Sequence, residues 1–397
     1  MSTNLMQAHN QWATRPNDER FFNLKDMGEA MLDVKTRGRE RTAPTNAMLA
    51  TTHTYPDSDS PDLVLTGSNG VPVALTHWSG GQLCQYVGAP ANYIRSLPPE
   101  LAAQNINHGL KERKDETASL LINRNTNHTL TLRSLTTEHY ARWWNVDIIS
   151  HLRVATDNGW MVPPARPVRH DPRARPATLD DIVPGQDAFG LSVKVGDMIA
   201  PAGCYASDRD MFVFMVNPKR VIDLDGDSLM RGFFLENSEV GAKAFKLTCF
   251  YLEAVCGNHI CWKSKHIKDF RKVHKGDNFR DFTYQLGGHL RQLTDANTSE
   301  ETKMISAAKN HVLGKNKEEV VEIIYNNKTI GLTKATVETI YEGAERWEHT
   351  AKAAPNTTWG FVHSATRYSQ TLPYADERAK IDSSAGKMLQ MAYVSKN

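Results

Sequence analysis

The chain has 397 residues, of which 40% are hydrophobic, enough apolar material for one large domain or about two to three ordinary ones. Its formal net charge of +2 excludes a histone-like or polybasic protein, so any nucleic-acid binding must come from a local patch. No stretch approaches the roughly 20 apolar residues of a membrane span, residues 1–20 lack the apolar core of a signal peptide, and the five irregularly spaced cysteines suit reduced thiols; together these imply a cytoplasmic protein with no membrane partner.

In chain order, residues 1–45 are polar, with a short amphipathic piece from Phe21 to Val34 in which Met27, Met31 and Leu32 form one helical face. Residues 63–76 alternate around the Gly-Ser-Asn-Gly turn at 67–70, which predicts a hairpin. A short helix runs to Val87, Gly88 supplies a left-handed turn, and a second helix carries Tyr93, Ile94 and Leu97. This is the outline of a helix-turn-helix, but its second helix bears only Arg95 as a cation, and the outline is common in other bundles.

Residues 117–135 give two strands around an Asn-rich turn. Thr136 or Thr137 is expected to cap a helix with Tyr140, Trp143, Trp144, Ile148 and Leu152. Adjacent tryptophans cannot share one helical face, so one of them stacks on a base or, as we expect, plugs a domain contact. Residues 163–176, PPARPVRHDPRARP, set Arg166, Arg169, Arg173 and Arg175 among five prolines. Proline keeps such a segment extended, which fits either a phosphate contact or a linker between two halves.

Strand-like patterns fill Phe189 to Leu224, and the Asp223–Asp227 run reads as a turn, since Phe234 stands where a calcium loop needs glutamate. Residues 231–276 hold nine cations (Arg231, Lys243, Lys246, Lys263, Lys265, Lys268, Arg271, Lys272 and Lys275) against four acids. Phosphate binding and a solvated strand edge both account for that excess. Helical periodicity follows: Phe279, Phe282, Leu286, Leu290 and Leu293, then helices near 299–313 and 317–326, one starting at Thr333, and one at Val362–Tyr368 with Arg367 exposed. The expected class is α+β, a central mainly antiparallel sheet with flanking helices and a helical C-terminal region. Its expected divisions are an N-terminal α+β region (1–162), a Pro/Arg-rich linker or loop (163–187), a mainly β core (188–277) and the helical region (278–397).

The chemistry-bearing residues form no recognisable catalytic or metal set. Cys249, Cys256, His259, Cys261, His266 and His274 lack the paired spacing of a zinc site and read as buried thiols on strands. Asp208 and Asp210 suit a metal pair or one polar turn. No phosphate-loop, dinucleotide-binding, zinc-protease or serine-hydrolase motif occurs. We therefore expect no cofactor.

Several phrases together, QWATRPNDERF (11–21), HWSGGQLCQYVGAPANYIRSLP (77–98), SDRDMFVFMV (207–216), RGFFLENSEVG (231–241), AVCGNHICW (254–262) and TTWGFVHSATRY (357–368), resemble the phage- and plasmid-borne family called domain of unknown function 932. The Asn-Ser-Glu-Val-Gly phrase at 237–241 followed by Cys256-Gly257-Asn258 is the most specific part, and His259 departs from the family's usual glycine. The resemblance implies a mobile-element context, DNA replication or recombination in a bacterial host cell, and carries no catalytic residues. The expectation is a nucleic-acid-binding protein, of the single-strand DNA binding or annealing kind, acting as a homo-oligomer. Lys263, Lys265, Lys268, Arg271 and Lys272 would meet phosphates and Trp262 a base. The alternatives are an interaction protein or inhibitor that binds a host protein, and a metal-dependent enzyme acting on nucleic acid or nucleotides.

Overall fold

The computed structural model describes residues 19–56, 58–113, 116–168, 174–182, 193–201, 203–224, 227–253, 259–261, 270–276, 279–296, 298–372 and 375–394. A short strand β1 (Arg20–Phe21) leads into α1 (Leu24–Arg37), where the Asn23 side chain accepts from Asp26 N and ends the extended run. Met27 and Met31 are buried on one face of α1. Leu32, expected beside them, is 54% exposed, because the helical step turns it a quarter-circle from Met31.

The first sheet contains β2 (Gly38–Pro44), β3 (Leu49–His53), β4 (Asp62–Thr66) and β5 (Pro72–Leu75), then β6 (Thr117–Arg124) and β7 (Leu130–Thr137). Its order is β2-β6-β7-β5-β4-β3, antiparallel except between β5 and β7. Between β5 and β6 lie α2 (His77–Tyr86), α3 (Ala91–Ser96) and α4 (Pro99–Glu112). They bury Leu83, Ile94, Ile106 and Leu110 against Leu120 and Leu132 of the sheet. The turn residues behave as their types require: Gly70 and Gly88 have φ of 69° and 74°, a region open to glycine without cost.

No helix starts at Thr136 or Thr137, because β7 runs on through them. The chain stays irregular until α5 (Asn145–His151) and α6 (Arg153–Asp157). The described ends of the Pro/Arg segment are strands rather than an irregular loop. β8 (Arg166–Pro167) and β9 (Arg175–Pro176) both pair with β10 (Met198–Ala200). The neighbours of each proline carry the pairing, Val168 N donating to Met198 O at 2.8 Å and Ala177 N to Asp197 O at 2.8 Å.

The second sheet runs β1-β11-β12-β13-β14-β15, formed by β11 (Cys204–Ala206), β12 (Met211–Leu224), β13 (Asp227–Asn237), β14 (Phe245–Glu253) and β15 (His259–Cys261); β16 (Phe270–Lys272) also pairs with β14. Both faces of its centre are buried, which accounts for the unbroken apolar run MFVFMV on β12. Met211, Val213 and Met215 pack towards α1, α5, α6 and α7 (Phe279–Asp295), while Phe212, Phe214 and Val216 form a second cluster with Tyr205, Met230 and Phe250. Beyond α7, α8 (Ser299–Asn310), α9 (Lys317–Asn326), α10 (Lys334–Arg346), α11 (Thr358–Thr371) and α12 (Ala375–Val394) share one core. The class is therefore α+β with a helical C-terminal region, as the sequence indicates. Arg367 is not exposed on α11: it is 8% exposed and its guanidinium sits 4.2 Å from the centre of the Trp347 ring, a contact that stabilises it away from water. No described helix is long and apolar enough to cross a membrane.

Gly232 sets how closely β13 and β14 face each other. A Cβ there would lie 2.4 Å from Phe250 Cε2, inside any normal contact. We expect Gly232→Ala to lower stability by about 1–3 kcal/mol, read as a shift of the urea midpoint at unchanged slope.

Candidate functional site

Asn237 to Gly241 leaves β13 and turns back into β14, with Gly241 at φ 80°. All three polar side chains of this short phrase are bonded, and so is the Val240 carbonyl. Glu239 is 1% exposed and pairs with Arg133 of β7, Oε2 accepting from Nη1 at 2.9 Å. Its other oxygen accepts from Asn145 N at 2.8 Å, at the start of α5. Asn237 Nδ2 donates to Asn145 Oδ1 at 2.8 Å and to Trp143 O at 3.1 Å. Ser238 Oγ donates to Arg209 O at 2.7 Å and accepts from Ala242 N at 3.0 Å. Val240 O accepts from Trp78 Nε1 at 3.0 Å and Gln82 Nε2 at 2.8 Å, both on α2. The loop of the second sheet is thus bonded to a strand and a helix of the first.

Residues 140–143, read from sequence as helical, instead run across this joint. Arg142 donates through Nη1 to Glu239 O and to Ser134 Oγ, and its Nε lies 3.1 Å from Glu40 Oε1 of β2. Tyr140 OH donates to Ser238 O at 2.8 Å and lies 3.1 Å from His274 Nδ1. His274 Nδ1 also lies 3.2 Å from Ala141 O, so this nitrogen carries the proton. Its ring stacks on Trp143, centroids 4.6 Å apart. Burial pushes the imidazole down to about 4, the Arg142 charge adds to this and the Ala141 carbonyl opposes it. Burial likewise raises the Tyr140 phenol, so both rings are neutral near pH 7.

This joint holds β2, β6 and β7 around a groove of about 1060 Å³. The apolar floor includes Val73, Leu120, Ile122, Leu130 and Leu132. Around it stand Arg37, Arg39, Arg41, Arg124 and His128, and no carboxylate is among the described lining residues. Alternation along β2 explains the sign: Arg39 and Arg41 leave one face while Glu40 leaves the other towards Arg142. Arg37 is paired with Asp33 of α1, and Arg39 donates to Thr36 O and Gly38 O. Arg41 and Arg124 are exposed and have no carboxylate partner among the described residues.

The residues singled out from sequence are distributed differently. Trp262, Lys263, Lys265, Lys268, Arg169 and Arg173 lie outside the described residues, as does the Arg166 side chain. Arg271 is exposed on β16, and Lys272 lies beside it with Nζ 5.8 Å from the Phe270 ring centre. Arg175 is committed internally: it makes a two-pronged pair with Asp181 at 2.7 and 2.8 Å and stacks 4.1 Å from Phe22. That pair holds the Asp181 carboxyl at about 2. Arg231, counted in the basic stretch, is 1% exposed and closes the end of α7 by donating to Leu293 O at 3.0 Å and Ala296 O at 2.8 Å. Asp208 and Asp210 do not form a pair facing one site, since Asp208 is exposed and Asp210 is buried, accepting from Ser207 Oγ at 2.8 Å. Cys249 is a buried thiol, as are Cys84 and Cys204. No three potential metal ligands come together among the described residues. The groove arginines escaped sequence reading because their charge is unremarkable in composition; the usable signal was the Arg-Glu-Arg alternation at 39–41 next to a second strand ending in Arg124.

Two outcomes follow from the joint. Glu239→Gln leaves the Arg133 charge buried without its counter-ion, and we expect a loss of about 3 kcal/mol in urea unfolding. His274 has a folded value below its ordinary 6.5, so the unfolded chain takes up this proton first as pH falls. Its share of stability is complete above about pH 6.5 and is lost towards pH 4, up to about 3 kcal/mol. Unfolding followed from pH 7 to 4 should show this slope, and His274→Phe should remove that share of it.

Comparison of the chain with protein-family models, curated proteins and solved structures gave no match.

Proposed function

We propose that this protein binds single-stranded nucleic acid, DNA in the first instance, along the arginine-rimmed groove of the first sheet. One observation carries the reading: a groove with four arginines and a histidine about an aliphatic floor, and no carboxylate among its described lining residues. Arginine forks pair with phosphate oxygens, and an apolar floor accepts bases that a duplex would keep stacked on each other. Binding of this kind follows the backbone, so it tolerates sequence and weakens steeply with salt. Arg271 on β16 is a further exposed cation, on the second sheet, with the half-buried Lys272 beside it. The resemblance to the phage- and plasmid-borne family supplies the context of strand binding or annealing during replication or recombination.

Fluorescence anisotropy of a labelled single-stranded oligonucleotide, titrated with nuclease-treated protein across a salt series, tests this. The expected plot of log affinity against log salt is linear, with a slope of roughly −0.7 for each phosphate neutralised. Replacing Arg39, Arg41 and Arg124 together by glutamate should abolish binding while circular dichroism and the urea midpoint stay near wild type. Undiminished affinity in that folded variant would remove the groove from the reading.

A further inference from the structure

A second cleft, of about 430 Å³, opens on the opposite face of β2. Its volume falls within the range of small-molecule sites, roughly 300–1,000 Å³. Tyr140, Trp143 and Phe279 give it aromatic walls, and Glu40, Glu138 and Ser119 give it hydrogen-bonding groups. Arg41 and Thr42 line this cleft and the groove alike. β2 is the end strand of its sheet among the described residues. A strand of nucleic acid lying in the groove with a phosphate on Arg41 therefore has its next nucleotide at the mouth of the second cleft.

We propose that this cleft takes one unstacked base of the bound strand, from the class that presents an exocyclic amino group; the proposal rests on the groove reading above. Among its described lining residues the groove has one aromatic ring, the His128 imidazole, whereas the cleft has three. Trp143 is buried between His274 and Phe282, so the half-buried rings of Tyr140 and Phe279 are the aromatic surface a base meets. The two carboxylates decide the class. An ionised carboxylate only accepts hydrogen bonds, so it matches the N4 amino group of cytosine and opposes the O4 oxygen of thymine or uracil. Donors of the lining residues are left over: Arg142 Nη2 and Trp143 Nε1 are buried and have no acceptor among the described residues. Buried donors of native proteins are ordinarily satisfied, and the O2 carbonyl and ring N3 of cytosine are acceptors of the kind they lack. Glu40 is held in place by Arg142. Glu138, with a side chain 49% exposed, is the group free to adjust to the base.

The test compares three strands of equal length, oligo-dC, oligo-dT and an abasic deoxyribose phosphate, against wild type and Glu138→Ala. Glu138 is half-exposed and, among the described residues, bonded only to Thr117 and His139 at the surface, so its truncation spares the joint. We expect wild type to bind oligo-dC about fivefold more tightly than oligo-dT, as one charged hydrogen bond allows, and to bind the abasic strand most weakly. In Glu138→Ala the dC preference should shrink to less than about twofold with dT affinity unchanged. Equal, salt-sensitive binding of all three strands by wild type would overturn the base pocket and leave the groove standing. If none binds, the groove reading fails, and the pocket is judged by titrating free cytidine and thymidine monophosphates while following the Trp143 indole N–H resonance. A shift with cytidine alone supports the cleft as a base site, and no shift with either overturns it.

Discussion

The Glu239 carboxylate is the constraint on which the other contacts are hung. It is almost wholly withdrawn from water, and a buried carboxylate is several kcal/mol unfavourable unless it is paired and fully bonded. Both its oxygens are answered, one by the Arg133 guanidinium of β7 and the other by the Asn145 backbone N–H at the start of α5. Apolar clusters tolerate small slides of one layer over another, since the hydrophobic effect has no direction. A forked cation and a backbone N–H converging on one carboxylate do not. The loop, the strand and the helix therefore meet in one arrangement. The hydrogen bonds from Trp78 and Gln82 to Val240 O add a second helix to it.

Everything proposed for function hangs from that joint through β2. Arg142 is bonded to the Glu239 carbonyl on one side and paired with Glu40 on the other. Drawing Glu40 to the inner face leaves its neighbours Arg39 and Arg41 on the outer one. A strand normally protects its free edge from unwanted pairing with charges of this kind. Here the same charges rim a groove, and the edge they occupy separates the groove from the aromatic cleft. The edge strand is thus short, charged and open for reasons of both solubility and access.

Much of the architecture is legible in the residues themselves. The Gly-Ser-Asn-Gly hairpin, the helices around Gly88, the Thr333 cap and the phenylalanine–leucine series of α7 all follow local rules, because capping and turn chemistry act over a few residues. The run from Thr136 to Trp144 does not. Its helical spacing of Tyr140 and Trp144 is real, but Tyr140, Arg142 and Trp143 each find a partner more than ninety positions away, at Ser238, Glu239 and His274. Tertiary hydrogen bonds of that range outweigh a helix propensity of a few tenths of a kcal/mol per residue. The phrase Asn-Ser-Glu-Val-Gly stands out in the sequence as the most distinctive, yet nothing local to it states that it is a buried joint rather than a surface loop. Arg133 and Asn145, about a hundred residues upstream, make that so.

Charge shows the same limit most clearly. Counting cations by position marks 231–276 as the basic stretch, but a count does not distinguish a charge spent inside the fold from one offered to a ligand. Arg231 is spent on the carbonyls at the end of α7, Lys243 lies 3.4 Å from Glu236, and Arg175 is spent on Asp181. The field outside a protein comes from charges that remain exposed after such pairing. In a chain with 47 cations and 45 anions, a positive surface arises by placing the anions elsewhere. Asp33 lies on Arg37, Asp147 on Lys35 and Glu40 on Arg142. Those pairings hold the nearby carboxylates away from the groove, and Arg41 and Arg124 keep their charge there. A near-neutral chain thus acquires a locally cationic groove through disposition alone, and the disposition traces back to the carboxylate of Glu239 that fixes where Arg142, and hence Glu40, must stand.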